Sequence, residues 1–82
     1  MSDTKPFRWT KPSGIADDQE MCEWNKMLLW ANPYGEWRVV ANRHRRVVVV
    51  GCDTRQAKGA DLADAKRRAQ ASAMVYHELQ GR

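Results

Sequence analysis

The sequence predicts a small α+β fold, in which an antiparallel sheet of two to four strands carries a C-terminal helix packed on it. Two runs rich in Val and Trp, residues 37–41 and 46–52, flank a short basic segment, as the strands of a hairpin would. Apolar residues then recur at helical spacing up to residue 80. A chain of 82 residues supports one domain, so we assign 1–82 to it, with 1–6 as a flexible leader.

The first element is predicted from residues 7–10, where apolar and polar side chains alternate as in a short edge strand. The turn-forming sequence Lys11-Pro-Ser-Gly14 would end it. The next segment, residues 15–31, is compatible with two structures.

In the first structure, residues 17–31 form a second helix, because apolar side chains at 21, 24 and 28 share one helical face and acidic residues lie at its start. In the second, only residues 26–31 are ordered, as a strand. That strand would pair back onto residues 37–41 through the β-turn sequence Asn32-Pro-Tyr-Gly35. Both interpretations stay open from the sequence.

The central hairpin has Trp37, Val39 and Ala41 on one face of its first strand. Four consecutive valines in its second strand, residues 47–50, predict a strand that is covered on both faces or lies centrally in the sheet. The connecting turn, Asn42-Arg-His-Arg45, is too polar to be buried and presents its basic side chains to solvent.

The C-terminal helix is predicted to begin at Asp61, which resembles a helix cap, and to end before Gly81. Its apolar face would comprise Leu62, Ala65, Ala69, Ala73, Tyr76 and Leu79. The opposite, solvent-facing side would comprise Arg67, Gln70, Met74 and His77.

The side chains that could support catalysis or bind a metal do not form a recognisable pattern. Cys22, His44, Cys52 and His77 are far apart, whereas structural zinc sites bring ligands in closely spaced pairs. We therefore interpret the cysteines as two free core thiols and the histidines as surface residues. The glycines stand alone, without a phosphate-binding loop. We expect a protein without enzymatic activity or cofactor.

The basic residues give the strongest functional signal. Residues 38–68 carry nine basic and three acidic side chains, a balance of +6, which favours an acidic partner. Four tryptophans are many for so small a core, and exposed Trp and Arg are common anchors of interfaces. The predicted partner-binding residues are Arg38, Arg43, His44, Arg45, Arg46, Lys66, Arg67, Arg68, Trp30 and Tyr34.

Two functions are compatible with this basic set. In the first, the turn and the exposed aromatics dock on a protein or nucleoprotein complex with an acidic surface. In the second, residues 43–46 and 66–68 contact nucleic-acid phosphates directly. The longest apolar run has four residues and the N-terminus lacks the apolar segment of a signal peptide, so we expect no membrane partner, a cytoplasmic location, and a monomer or homodimer.

Four segments also resemble short accessory proteins of bacteriophages in their order: Phe7-Arg-Trp9, Trp37-Arg-Val-Val40, residues 47–51 and Leu62-Ala-Asp-Ala-Lys66. The resemblance implies an antiparallel sheet against one C-terminal helix. It also implies a binding protein that acts in a bacterial host, as an inhibitor of host defence such as the anti-CRISPR proteins. Because the chain is basic from residue 38 onward, imitation of DNA by an acidic surface is not expected.

Overall fold

The computed structural model describes residues 6–11, 18–54 and 59–80, and shows the predicted α+β fold. A four-stranded antiparallel sheet is followed by one C-terminal helix. The elements are β1 (Glu20–Trp24), β2 (Met27–Ala31), β3 (Trp37–Arg43), β4 (Arg46–Asp53) and α1 (Leu62–Gln80).

The strands follow one another in the sheet in chain order, so each is joined to its neighbour by a turn rather than by a crossover. Two-residue turns connect β1 to β2 and β3 to β4, and both lie at the same end of the sheet. The connection from β2 to β3 is the predicted turn: the N–H of Gly35 donates to the Asn32 carbonyl over 3.2 Å. The Asn32 side chain braces this turn by accepting hydrogen bonds from the N–H groups of Tyr34 and Glu36.

The core lies between one face of the sheet and α1, and small residues allow the two to approach closely. Ala65, Ala69 and Ala73 are fully buried on the helix, at successive one-turn intervals. Gly51 of β4 lies below the helix, where an added Cβ would come within 2.5 Å of the Ser72 Oγ. The largest fully buried side chains on the sheet are Leu29, Val39 and Cys22.

The predicted capping of α1 is confirmed. The Asp61 carboxylate accepts a hydrogen bond from the N–H of Asp64 over 2.9 Å, which satisfies one of the free donors of the first turn. The apolar face is confirmed at its alanines and at Tyr76, which packs against the core. Leu79, however, is 60% exposed, because it lies on the side of the helix that points beyond the edge strand β4.

The alternative of a second helix over residues 17–31 is wrong for the residues that the structure describes, since 20–31 form β1 and β2. The strand alternative is confirmed in its pairing, with Ala31 opposite Trp37 and Met27 opposite Ala41. It is wrong in ordering residues 26–31 alone, because Glu20–Trp24 forms a further strand that pairs with β2. The apolar residues fit either period, and pairing with β3 decides between them. Residues 12–17, with most of the predicted turn at 11–14, lie outside the described residues, as does the leader up to residue 5.

The valine-rich strand differs most from prediction. β4 is an edge strand, and Val47, Val48 and Val49 are exposed rather than covered on both faces. Cys52 is likewise exposed, although Cys22 is buried as predicted and both thiols are free. Val47, Val48 and Val49 therefore reflect high β-propensity rather than burial, whereas Val50 packs against the core.

Residues 6–11, the part of the N-terminal segment that the structure describes, form no regular strand. Thr10 makes a single antiparallel bridge to Met21 at the outer edge of β1. The residues before it pack on the helix side of the sheet: Phe7 stacks on Trp24 at 4.5 Å, and the Trp9 Nε1 donates to the Gln70 Oε1 over 2.8 Å. The prediction that Gln70 lies on the solvent-facing side of the helix is therefore wrong, because its side chain contacts Trp9.

Candidate partner-binding surface

The sheet face opposite α1, which we call the open face, is covered by none of the helices or strands that the structure describes. The registers place its side chains in two rows across the four strands. One row consists of Met21, Trp30, Arg38 and Cys52, and the other of Glu23, Leu28, Val40 and Val49. Five of these eight side chains are aliphatic or aromatic, and the charged members are Arg38 and Glu23, so the face is largely apolar with one charge of each sign.

Two shallow grooves cross the open face and meet at Leu28 and Val40, which line both. The larger, of about 800 Å³, extends toward the paired two-residue turns and includes Arg8 and Lys26 in its lining. The smaller, of about 430 Å³, extends toward the opposite end of the sheet along Trp30 and Arg38. Both are open clefts suited to a protruding side chain or segment of a macromolecule rather than closed cavities for a small ligand.

The end of the sheet with the two-residue turns is strongly basic, and we call it the basic end: Lys26, Arg43, Arg45 and Arg46. The two turns lie side by side, because the N–H of Asn42 reaches the carbonyl of Lys26 at 3.5 Å. Arg43 and Arg46 are directly opposite each other in the ladder, an arrangement of like charges that opposes hairpin formation. The predicted basic turn is thus exposed, and Lys26 adds a further cation that the sequence did not single out.

Both turns hold non-glycine residues in the left-handed region. The φ angles are 48° at Asn25 and 64° at Lys26 in the first turn, and 51° at His44 and 65° at Arg45 in the second. Two successive positive φ values match the twist of a hairpin, but such turns normally carry Gly at the second position. Long basic side chains occupy that position in both turns, although each costs about 1–2 kcal/mol of local strain there.

The basic residues of the helix do not join the basic end. The Lys66 Nζ lies 2.8 Å from the Glu20 Oε1 and 5.5 Å from the centre of the Trp9 ring, near the end of the sheet opposite the basic end. Arg67 and Arg68 both pair with the carboxylate of Asp64 within the helix. These three side chains are engaged in internal ion pairs.

The two predicted aromatic contacts are separated in the same way. Trp30 lies on the open face beside Arg38 and is half-buried. Tyr34 is exposed in the turn between β2 and β3, at the end of the sheet remote from the basic end. The structure therefore brings together Trp30 and Arg38 on the open face. The basic turn lies at one end of the sheet, with Arg43 and Arg46 on the side of α1, and Tyr34 and the helix cations lie elsewhere.

The thiols and histidines form no shared site among the described residues, which contain no cluster of three or more side chains able to hold a metal ion. Burial raises the pKa of the Cys22 thiol, and this outweighs a backbone hydrogen bond from Arg8 that lowers it. A buried thiol with a raised pKa is a poor nucleophile at neutral pH.

Comparisons with protein-family models, with curated proteins and with solved structures found no match to this chain. Over the described ranges, α1 is too polar to cross a lipid bilayer, and no other helix is present there.

Proposed function

We propose that the protein is a non-enzymatic binding protein, which docks an acidic protein partner on its open face and basic end. The observation that carries the proposal is the continuity of the two surfaces. The row of Leu28, Val40 and Val49 crosses the open face, and the larger groove leads from it to Lys26. An apolar centre bordered by cations at one end suits a partner with an apolar segment flanked by carboxylates.

The conformational cost of the basic end supports the same proposal. Arg45 and Lys26 occupy left-handed positions at which glycine would be favoured, and Arg43 faces Arg46 in the ladder. An acidic partner would offset the charge repulsion, whereas the free protein gains no stability from it. Strain of this kind, where observed, is a basis for proposing function.

Direct nucleic-acid binding is the alternative that this geometry supports less well. It relied on residues 43–46 acting together with Lys66, Arg67 and Arg68, but the turn and these helix residues lie toward opposite ends of the sheet. Lys66 is paired with Glu20, and Arg67 and Arg68 share the carboxylate of Asp64, so two carboxylates partly balance the three helix cations. The inhibition of a host system that the phage resemblance implied remains a prediction.

Site-specific photo-crosslinking tests the proposal. A photoreactive phenylalanine analogue replaces Trp30 in one variant and Tyr34 in a matched control, and each is irradiated in nuclease-treated extract of the source cells. We expect a discrete protein adduct from position 30, absent from position 34 and lost when Arg43 and Arg45 are both changed to Glu. Equal adducts at the two positions, no adduct at position 30, or an adduct unaffected by the Glu changes would refute the proposal.

Fluorescence anisotropy with labelled single- and double-stranded DNA and RNA tests the alternative. The protein-docking proposal predicts no tight binding at about 50 mM salt. Tight binding that falls by orders of magnitude at about 200 mM salt would establish phosphate contacts instead. If Arg43→Ala then lowered the log–log salt slope by about 0.9, that residue would be a phosphate contact.

A further inference from the structure

The two edges of the sheet are not equivalent. The outer edge of β1 is bridged by Thr10, whereas the outer edge of β4 pairs with no strand in the described ranges. β4 has eight residues and contains no proline, and its only charged side chains are at its ends, Arg46 and Asp53. It therefore lacks the proline and the central charges that commonly protect an edge strand from pairing.

Exposed apolar side chains concentrate around this edge. Val47 is 73% exposed, Val49 57% and Val48 41%. Among the described residues, four other large apolar side chains are exposed, and three of them lie on the helix: Met74, Val75 and Leu79. Val75 and Leu79 are the two that share the side of Ser72.

The rotation of α1 places these two beside β4. Ser72 contacts the position above Gly51 of β4, and Val75 and Leu79 follow it three and seven residues later, on the same side of the helix. The opposite side carries Lys66 and His77, which reach Glu20 and Trp24 of β1.

Position along the strand agrees with this placement. α1 begins near Gly35 and ends near the two-residue turns, so it runs antiparallel to β4. From Ser72 to Leu79 the helix rises about 10 Å. From Gly51 back to Val48 the strand also covers about 10 Å. Leu79 therefore lies at the level of Val48.

We propose that two copies of the chain associate through β4, each strand pairing antiparallel with its counterpart across a two-fold axis to form a continuous eight-stranded sheet. Val75 and Leu79 of each helix then pack beside the junction. The interface is isologous, since the same patch on both copies supplies it.

The bulge in β4 makes complete overlap of the two strands possible. In a regular ladder, paired residues point to the same face, so an eight-residue strand cannot pair end to end with its own copy: its first and last residues face opposite sides. Val40 of β3 pairs with Val49 of β4, but the preceding residue Val39 pairs with Gly51, so Val50 is an extra residue in β4. The extra residue restores the match, and Arg46 and Asp53 face the same side, that of α1.

The resulting register is complementary in charge and shape. Arg46 lies opposite the partner's Asp53 at both ends of the junction, and Val47 lies opposite the partner's Cys52. Val48 lies opposite the partner's Gly51, and the irregular step at Val50 falls on the axis. Asp53 already has an interaction within its own chain, but a carboxylate offers about four acceptor sites and can serve both.

Disulfide trapping tests this register directly, because Val47→Cys would face the partner's native Cys52. Within one chain the two positions are about 16 Å apart along the same strand, too far for a disulfide. Val48→Cys is the matched control, since it points to the other face. We expect Val47→Cys to form a disulfide-linked dimer under mild oxidation. Val48→Cys and the wild-type protein should form such a dimer much more slowly or not at all.

Sedimentation equilibrium supplies the second measurement. Wild-type protein should show twice the chain mass of 9.5 kDa, and Val49→Lys should raise the dimer dissociation constant at least tenfold with an unchanged circular dichroism spectrum. A wild-type monomer at about 100 μM, equal trapping of the two cysteine variants, or a dimer indifferent to Val49→Lys would overturn the proposal. Trp30→Ala, which disturbs the open face, should leave the dimer intact, so this proposal and the proposed function can fail independently.

Discussion

Replacing Arg45 by glycine should stabilise the protein, although it removes a long side chain and adds a flexible residue. Arg45 has a φ of 65° in the second position of a two-residue turn. The left-handed conformation costs an L-residue about 1–2 kcal/mol, and glycine avoids that cost. Glycine loses about 0.5–1 kcal/mol more backbone entropy on folding. The expected net gain in the free energy of unfolding is therefore at most about 1.5 kcal/mol, with a central value of about 0.7 kcal/mol.

The change also removes a cation beside Arg43 and Arg46, which adds to the gain at low salt. For a domain of this size, about 1 kcal/mol corresponds to a rise in Tm of about 4–8 °C. Urea unfolding followed by circular dichroism, at low protein concentration and at two salt concentrations, measures both contributions.

Two control variants test whether the gain comes from relief of backbone strain. Lys26→Gly, with a φ of 64° in the neighbouring turn, should give a similar gain, whereas Arg43→Gly, within β3, should destabilise because glycine weakens a strand. If Arg45→Gly left stability unchanged or reduced it, the strain attributed to the basic end would be absent. If it stabilised the protein and also abolished the adduct at Trp30, stability and binding would be shown to oppose each other at this residue.

The remaining predictions concern the loop before the helix and the thiols. Gly35→Ala should cost about 2–4 kcal/mol, because the φ of 87° is unfavourable for alanine and the new Cβ would lie 2.4 Å from that of Ala60. Gly59→Ala, at a φ of 83° but with open space around it, should cost only about 1 kcal/mol in the same urea assay. Asp61→Ala removes the helix cap and should cost about 1 kcal/mol, with Asp61→Asn close to neutral. The raised pKa of Cys22 means that the folded state holds this proton more tightly than the unfolded state, so the free energy of unfolding should fall as the pH rises above about 9. A Cys22→Ala variant should lack this decline. In a separate test at pH 8, a thiol reagent should modify Cys52 alone.

The sequence was most informative where a local chemical signal marked the end of an element. Asp61 was predicted correctly as the cap, and the turn at residues 32–35 was predicted correctly in the strand alternative, because carboxylate caps and Asn-Pro-x-Gly turns have a specific local cause. The β1–β2 hairpin was missed because Asn25-Lys26 adopts a glycine-type turn without a glycine. Its strands also carry apolar residues that fit a helical period equally well.

Of the candidate site, the sequence predicted the exposed basic turn but not the other basic residues that lie beside it. The exposure of Arg43, Arg45 and Arg46 could be predicted, because three cations at a hairpin turn have nowhere to be buried. Which other basic residues join them depends on long-range packing. Lys66 pairs with Glu20, away from the basic end, and sheet pairing places Lys26 beside the β3–β4 turn. Neither placement can be predicted from the neighbouring residues in the sequence. The position of β4 at the edge was equally inaccessible, since strand propensity does not specify strand order.

The sequential order of the strands has a consequence for the kinetics of folding. Every strand contact of the sheet joins neighbours in the chain, so the sheet can assemble by successive hairpin closures at little cost in loop entropy. Docking of α1 on the sheet brings together residues that are more distant, as the contact between Gly51 and Ser72 illustrates. If that docking follows the transition state, Gly51→Ala should accelerate unfolding and leave the folding rate almost unchanged, which stopped-flow chevron plots would show. A nascent chain could then complete its sheet while the helix was still leaving the ribosome, and the uncovered core face would be the surface most in need of a chaperone.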